Sequence, residues 1–391
     1  MRSSLPPSRP GPSARLIELD GLRGLAAAVV VIHHCLLTVP TFARIGARPG
    51  VVPEEPAARI LTQTPLHLLW AGHEAVLIFF VLSGTALVYP VARRHAQRRR
   101  FDWVDYVPRR IVRLWLPAAA STALAVALMM LVPRSTDASL GPWMTQAHPA
   151  GLSLRHLLLE LALQPRYAYR NTVLWSLHAE AVFSFLLPLV VLVVALAARS
   201  RAWWLPAAAC LAVPAVTGDT RALVYVPVFV LGATAGWRWG HLDAVAPERP
   251  APWATPAALV CLVLVTTGWW PGLQESVAGR LAAAVTLAAV SALVVLAVRA
   301  GALRALLRSR TVQYLGALSF SLYLVHEPVI VATRLLTASW PPWLAAPLAV
   351  AVTAPMTWLF HRYVEAPSHR LSRRAGRWVS SRVHRAARRT R

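Results

Sequence analysis

Two side chains in the first apolar run of the sequence could do chemistry inside a membrane. Arg23 and His34 are eleven residues apart, which on an α-helix is about three turns and roughly 16 Å of rise, so both side chains point the same way. Ionisable groups at membrane depth are expensive and usually face a bundle interior or a wet cavity. A neutral imidazole can take a proton from an alcohol near neutral pH. The spacing therefore selects His34, rather than His33, as a candidate general base; a packing histidine is the alternative.

A polar stripe opens a later apolar run. Ser176, Glu180 and Ser184 recur at steps of four, so they lie on one face of a helix, whereas His178 faces elsewhere. A carboxylate at this depth needs a partner. We expect Glu180 either to orient or charge-balance His34, or to form a structural ion pair inside the bundle.

Two more runs bring histidine or carboxylate to similar depths. In one, Tyr323 shares a helical face with Ser319 and with either His326 or Glu327. The other run begins near Glu74 and continues to a small Ser83-Gly84 pair, which permits close approach of a neighbouring helix. Convergence of four such helices favours a buried site over scattered structural polar residues.

Arg110 and Arg113 form a pair at the cytoplasmic foot of the third apolar run. They are three residues apart and therefore adjacent on one helical face. Guanidinium groups grip phosphate oxygens bidentately, so the pair suits a phosphorylated cytoplasmic ligand. The alternative is an anchor that obeys the positive-inside rule.

The apolar runs decide the fold class. Of the 391 residues 57% are hydrophobic, and they cluster in runs long enough to cross a bilayer, which must be helical because hydrocarbon offers the backbone no hydrogen-bond partner. The sequence predicts an all-α, polytopic transmembrane bundle. The net charge of +24 comes from arginines between these runs, so it indicates topology rather than nucleic-acid binding.

Ten windows are long enough to span, although the fifth is short. With both termini in the cytoplasm, most arginines fall on the cytoplasmic side. We expect a cytoplasmic N-terminal tail at 1–21, a membrane domain at 22–367 and a basic cytoplasmic tail at 368–391. The predicted spans are 22–39, 68–90, 114–132, 174–198, 203–217, 222–240, 254–270, 279–298, 313–336 and 342–362.

The connecting segments carry weaker signals. The external loop 40–67 holds many prolines, which predicts an irregular segment without stable helix. Residues Ser153 to Ala162 have helical apolar spacing and a serine start, which predicts an interfacial helix. The arginine-rich tail from Ser368 is expected to be amphipathic or disordered and to contact anionic lipid. The three cysteines lie in apolar runs, so neither a disulfide nor a metal site is expected.

Six segments together resemble acyltransferase family 3, the integral membrane O-acyltransferases. They occur in the family's order and cover nearly the whole chain. The segments are Leu19-Asp20-Gly21-Leu22-Arg23-Gly24 with His34; Phe79-Phe80-Val81-Leu82-Ser83-Gly84; Arg110 with Arg113; Leu174-Trp175-Ser176-Leu177 with Glu180; Tyr323-Leu324-Val325-His326 with Pro328; and Val364-Glu365-Ala366-Pro367.

The resemblance implies a reaction and roles. A ten-span bundle of this family takes an acyl group, usually acetyl, from acyl-CoA and places it on a hydroxyl of a carbohydrate, glycolipid or glycosylated metabolite at the cell membrane. His34 would be catalytic, with Arg23 and Glu180 supporting it, and the arginine pair would bind acyl-CoA. His34 would act as general base or form a transient acyl-histidine. Further contacts to substrate are expected from Glu74, Ser83, Trp175, Tyr323 and His326.

The implied partners are the bilayer, acyl-CoA, a saccharide or glycosylated acceptor, and possibly a separate extracytoplasmic transferase, with no nucleic acid and no metal. Many relatives have an acidic residue where this chain has Leu77, and Glu74 is a candidate substitute. A transporter or flippase that uses the same intramembrane polar residues is the competing hypothesis. It lacks the paired, Gly/Pro-broken segments expected of inverted repeats.

Overall fold

The chain is all-helical in the computed structural model. The structure describes residues 17–389 apart from 48–51, 136, 149–150, 152, 165–169, 201, 218–221, 243–249 and 274–276, and these described residues contain no β-strand. The predicted fold class is therefore confirmed. Most of the predicted N-terminal tail lies outside the described residues.

The described part of the chain contains sixteen α-helices, with short 3-10 turns and one π-helical turn. In order, the helices are α1 (Ile17–Leu37), α2 (Pro40–Ala47), α3 (Pro56–Gln63), α4 (Gly72–Ala96), α5 (Trp103–Leu131), α6 (Pro142–Gln146), α7 (Leu154–Leu161), α8 (Leu174–Ala198), α9 (Leu205–Thr217), α10 (Ala222–His241), α11 (Ala254–Leu264), α12 (Val277–Leu296), α13 (Gly301–Leu307), α14 (Arg310–Leu336), α15 (Pro342–Phe360) and α16 (Ala366–Arg389).

Seven helices of the described chain are long and apolar enough to cross a membrane. They are α1, α4, α5, α8, α12, α14 and the continuous helix that begins with α15. The predicted spans 203–217, 222–240 and 254–270 coincide with α9, α10 and α11, which are not among these seven. The count of ten spans and the cytoplasmic termini stay predictions.

One local expectation was wrong. The loop 40–67 is not irregular throughout, because Pro40 and Pro56 begin the eight-residue helices α2 and α3. Proline is tolerated in the first helical turn, where its missing N–H has no intrahelical role. Helix α5 contains most of the predicted third span and begins eleven residues before it, at Trp103, because the Asp102 side chain accepts a hydrogen bond from the N–H of Asp105 at 3.0 Å and caps the helix.

Two helical expectations were correct. Helix α7 forms within the predicted segment, and the Ser153 side chain caps it. The tail from Ser368 to Arg389 is helical rather than disordered. It continues α15 through a π-helical turn, His361–Glu365, so the predicted domain boundary at 367 falls inside one continuous helix.

Glycines let the central helices touch backbone to backbone. A Cβ on Gly316 of α14 would lie 2.3 Å from the carbonyl oxygen of Asp20 in α1, and one on Gly24 would lie 2.5 Å from the N of Gly316. The predicted close approach at Ser83-Gly84 is also confirmed, since a Cβ on Gly84 would lie 2.0 Å from the carbonyl oxygen of Phe229 in α10. These contacts fix α1 against α14 and α4 against α10.

The contact between α1 and α14 can be tested with one added methyl group. Gly316→Ala should lower the free energy of unfolding by about 1–3 kcal/mol, because overpacking a rigid contact forces the helices apart. Thermal unfolding of the purified, detergent-solubilised protein measures this. The control is Gly268→Ala, whose Cβ would meet only Thr286 Oγ1 at 4.0 Å. Equal melting temperatures for both variants would contradict the close packing.

Candidate active site

A cavity of about 180 Å³ lies between α1, α4, α5, α8 and α14. We call it the arginine cavity, because three arginines line it. Its polar lining residues are Arg23, Ser83, Arg110, Arg113, Ser176, Glu180, Ser319 and Tyr323. Six of the ten site residues predicted from sequence therefore meet around one space. His34, Glu74, Trp175 and His326 do not line it.

Arg110 is held in place on one wall of the arginine cavity. Its Nη2 donates to Glu180 Oε1, and its Nε donates to Ser184 Oγ at 2.8 Å. Ser83 Oγ donates to the same Glu180 oxygen at 3.3 Å. The side chains of Arg110 and Glu180 are only 12% and 20% exposed, so each largely neutralises the other's charge away from bulk water.

The ion-pair interpretation of Glu180 is confirmed, and the contact with His34 does not form. The reason is the depth at which α8 begins. Asn171 and Val173 are buried, and the Glu327 carboxylate accepts hydrogen bonds from the N–H groups of Thr172 and Val173 at 3.0 and 2.9 Å. The first turn of α8 therefore lies inside the bundle, and Glu180 falls beside the arginines.

His34 pairs with His326. The two rings are 4.8 Å apart, and His326 Nε2 lies 3.2 Å from His34 Nδ1. Each Nδ1 also lies 2.9 Å from a backbone carbonyl oxygen, that of Val30 for His34 and that of Leu322 for His326. A carbonyl only accepts, so in the neutral rings both Nδ1 atoms carry the proton. His34 then keeps a lone pair at Nε2, as a general base requires.

Tyr323 separates the arginine cavity from this histidine pair. Its hydroxyl lies 2.7 Å from Ser176 Oγ, and its ring centroid is 5.8 Å from that of His326. The face of α1 that carries Arg23 and His34 is therefore open at the arginine end and occupied by side chains at the histidine end. Trp143 of α6 packs on His34 at 5.5 Å.

Two predicted site residues, Glu74 and Trp175, make their contacts outside the arginine cavity. The Oε1 of Glu74 accepts a hydrogen bond from Trp269 Nε1 at 2.9 Å, and its Oε2 lies 3.9 Å from His67 Nε2. Glu74 therefore does not supply an acidic group to the arginine cavity in place of Leu77. Trp175 packs against Phe80, which lines the cavity, at 6.0 Å. The prediction that His178 faces away is confirmed, since its Nδ1 bonds to the carbonyl oxygen of Leu163 at 2.8 Å.

Sequence reasoning missed the polar residues behind Tyr323. Pro328 has no N–H, so the carbonyl oxygen of Leu324 loses its helical partner. Ser121 Oγ and Asn171 Nδ2 donate to that oxygen instead, at 2.7 and 2.8 Å. The proline inside an apolar run was the available signal. It predicts a freed carbonyl but not which loop residue will reach it.

A buried ion pair outside the membrane-length helices braces the segment that leads into α8. Arg170 Nη1 donates to Glu160 Oε2 at 2.9 Å, and Glu160 also accepts from the N–H of Asn171 at 3.1 Å. Burial raises the pKa of Glu160, and the contacts to Arg170 and Asn171 oppose that shift. Within the described ranges no group of three or more His, Cys, Asp and Glu side chains could hold a metal ion.

Membrane-length helices around a polar cavity define a multi-pass membrane protein. The sequence profile of a family described as an acyltransferase domain matches residues 16–362, and the chain belongs to this family, acyltransferase family 3. The protein is therefore a transferase that has an acyl donor and an acceptor.

Two curated relatives are also named as acyltransferases. The chain is 29% identical to the acyltransferase MdmB of Streptomyces mycarofaciens over 91% of this chain and 92% of that protein. It is 35% identical to the O-acetyltransferase PaAT-1 of Phomopsis amygdali over 29% of this chain, a match that spans only 22% of PaAT-1. No solved structure matches the chain.

The wall of the arginine cavity can be tested by removing one partner at a time. Glu180→Gln and Arg110→Gln should each lower the free energy of unfolding by about 1.5–3 kcal/mol, because each leaves a largely buried charge without its partner. The double variant should lose less than the sum, which thermal unfolding of all three proteins measures. Additive losses would show that the two side chains do not interact.

Proposed function

We propose that the protein is an acyl-CoA-dependent O-acyltransferase of the cell membrane. It moves an acyl group, acetyl in the simplest case, to a hydroxyl of a carbohydrate, glycolipid or glycosylated metabolite. One observation carries the proposal: a cavity lined by three arginines reaches Tyr323, whose ring centroid is 5.8 Å from that of His326 in the His34–His326 pair. Cations suited to a phosphorylated donor and a base suited to an alcohol thus lie on opposite sides of Tyr323.

Arg23 and Arg113 are the donor-binding groups in this proposal. Arg23 has only a distant ion pair with Asp20, at 3.8 Å, and in the part of the chain described here Arg113 donates no hydrogen bond to protein. Guanidinium groups without strong protein partners are free to bind phosphate. Arg110 differs because Glu180 and Ser184 already engage it. Arg110 therefore shapes the cavity, and Glu180 is its positioning residue.

His34 performs the proton transfers. Its Nε2 takes the proton of the acceptor hydroxyl as that oxygen attacks the thioester carbonyl carbon. The carbon–sulfur bond then breaks, and His34 returns the proton to the departing thiolate. His326 supports this cycle because its Nε2 lone pair accepts from His34 Nδ1–H, which orients the ring and stabilises the imidazolium.

One relative supports the oxygen nucleophile. PaAT-1 is named an O-acetyltransferase, which favours acetyl as the group and a hydroxyl as the acceptor. A separate extracytoplasmic transferase that accepts the acyl group is compatible with the same reaction.

Loss of the base tests the reaction. His34→Gln should lower acetyl transfer by about 10²–10⁴-fold, because general-base catalysis contributes a factor of that size. Transfer of label from acetyl-CoA to glycan and glycolipid acceptors measures this in membranes that contain equal amounts of folded protein. The control is His95→Gln, a histidine at the end of α4 that contacts His241. Unchanged transfer by His34→Gln would refute the assignment.

Loss of one cavity arginine tests the donor. Arg113→Gln should raise the KM for acetyl-CoA by roughly 10–100-fold with a smaller change in kcat, since a hydrogen bond to a charged group contributes about 1.5–3 kcal/mol. Arg109→Gln is the matched control, because Arg109 lies on the same helix but pairs with Asp105. Initial rates at varied acetyl-CoA separate KM from kcat. Equal KM values in both variants would remove Arg113 from the donor site.

A further inference from the structure

Helix α16 lies outside the family match, which ends at residue 362, yet it is packed against the start of α5. Ser380 Oγ donates to Asp102 Oδ2 at 2.6 Å, and Ser368 Oγ donates to the carbonyl oxygen of Val112 at 3.5 Å. Between them, a Cβ on Gly376 would lie 2.5 Å from Asp105 Oδ1. Residue numbers rise along α16 as they fall along α5, so the two helices are antiparallel.

The contact surface of α16 is a stripe at steps of four: Ser368, Ser372, Gly376 and Ser380. His369, Arg373 and Arg377 each follow one of these residues and are rotated about 100° from it. We call these three residues the basic stripe. Both arginines of the stripe are exposed.

The basic stripe lies on the same side as Arg113. Arg113 follows the α5 contact residue Val112, as His369 follows Ser368. On two right-handed helices that face each other in antiparallel orientation, a step of one residue past the contact turns both side chains toward the same side of the interface. Arg113 and Arg373 both interact electrostatically with the His369 imidazole, as expected if all three lie on the same side of the interface. His369 Nε2 also lies 3.7 Å from Glu365 Oε1 at the top of the stripe.

Cations therefore continue from the arginine cavity onto the outer part of α16. Eight arginines and no acidic residue occupy Ala366–Arg389. Among the described residues, the guanidinium groups of Arg373 and Arg377 have no carboxylate partner. The stripe thus presents two exposed cations, Arg373 and Arg377, and begins at His369, on the same side of the interface as Arg113.

We propose that the basic stripe binds the phosphate groups at the nucleotide end of coenzyme A, and so extends the donor site beyond the family domain. This inference rests on the proposed function. Coenzyme A carries its thiol at one end and a diphosphate and a ribose 3′-phosphate near the other. With the pantetheine arm in the arginine cavity and the phosphate next to it bound by Arg23 and Arg113, the phosphates nearer the nucleotide reach the cations outside the cavity, where guanidinium forks bind them bidentately.

Two double variants with identical charge change test the proposal. Arg373→Gln/Arg377→Gln removes two cations of the stripe, whereas Arg370→Gln/Arg374→Gln removes two from the neighbouring face of α16 that points away from α5. Binding of coenzyme A and of 4′-phosphopantetheine is measured by calorimetry on the full chain in phosphatidylcholine nanodiscs. The first variant should weaken coenzyme A binding at least tenfold and leave 4′-phosphopantetheine unchanged. The second should change neither by more than about twofold.

Each other outcome overturns the proposal. Equal losses in both variants would mean general electrostatic attraction, and no loss in either would mean that the stripe does not contact the ligand. If phosphatidylglycerol in the nanodisc abolished the difference between the variants, the stripe would be a site for anionic lipid headgroups. If the wild-type protein transfers acetyl groups from acetyl-CoA and the variants give one of these results, only the proposed role of the basic stripe is refuted. A wild-type protein that binds no coenzyme A refutes the donor assignment as well.

Discussion

The direct backbone contact between α1 and α14 is the constraint on which the site depends. Gly24 meets Gly316, and ten residues further along each helix His34 meets His326. The two helices run parallel with equal rise, so a contact at one level fixes the pairing about 15 Å away. A side chain at either glycine would separate the axes and shift the histidine pair. The catalytic arrangement is therefore set by residues that have no chemistry of their own.

Prolines explain why so many polar groups lie in this bundle. A proline inside a helix leaves a carbonyl oxygen without its usual donor, and hydrocarbon cannot supply one. Ser121 and Asn171 serve the carbonyl freed by Pro328, and the Tyr106 hydroxyl donates to the Ser184 carbonyl oxygen, freed by Pro188, at 3.3 Å. Polar residues of this kind donate hydrogen bonds to backbone carbonyl oxygens that lack a helical partner. Those that line the arginine cavity without such a partner are the better candidates for ligand binding.

Much of the fold and of the candidate site could be predicted from the sequence, because apolar runs specify helices and helical spacing specifies faces. The Arg110 and Arg113 face, the Ser83-Gly84 approach and the Tyr323–His326 stripe all follow from such local rules. The partner of Glu180 could not be predicted in this way, because it depends on how deep in the bundle α8 begins. That depth is set by Glu327 of α14 holding Thr172 and Val173. No periodicity within residues 174–198 carries information about a contact made from another helix.

The π-helical turn at His361–Glu365 acts as an angular offset between the membrane helix and its basic extension. A π turn closes its hydrogen bond one residue later than an α turn. If that turn were α-helical, every residue beyond Glu365 would be rotated by one position, about 100°. The serines and Gly376 would then turn away from α5, and Leu371, Ala375 and Val379 would face it. A single wide turn thus decides which side of the extension is hidden and which presents its charges.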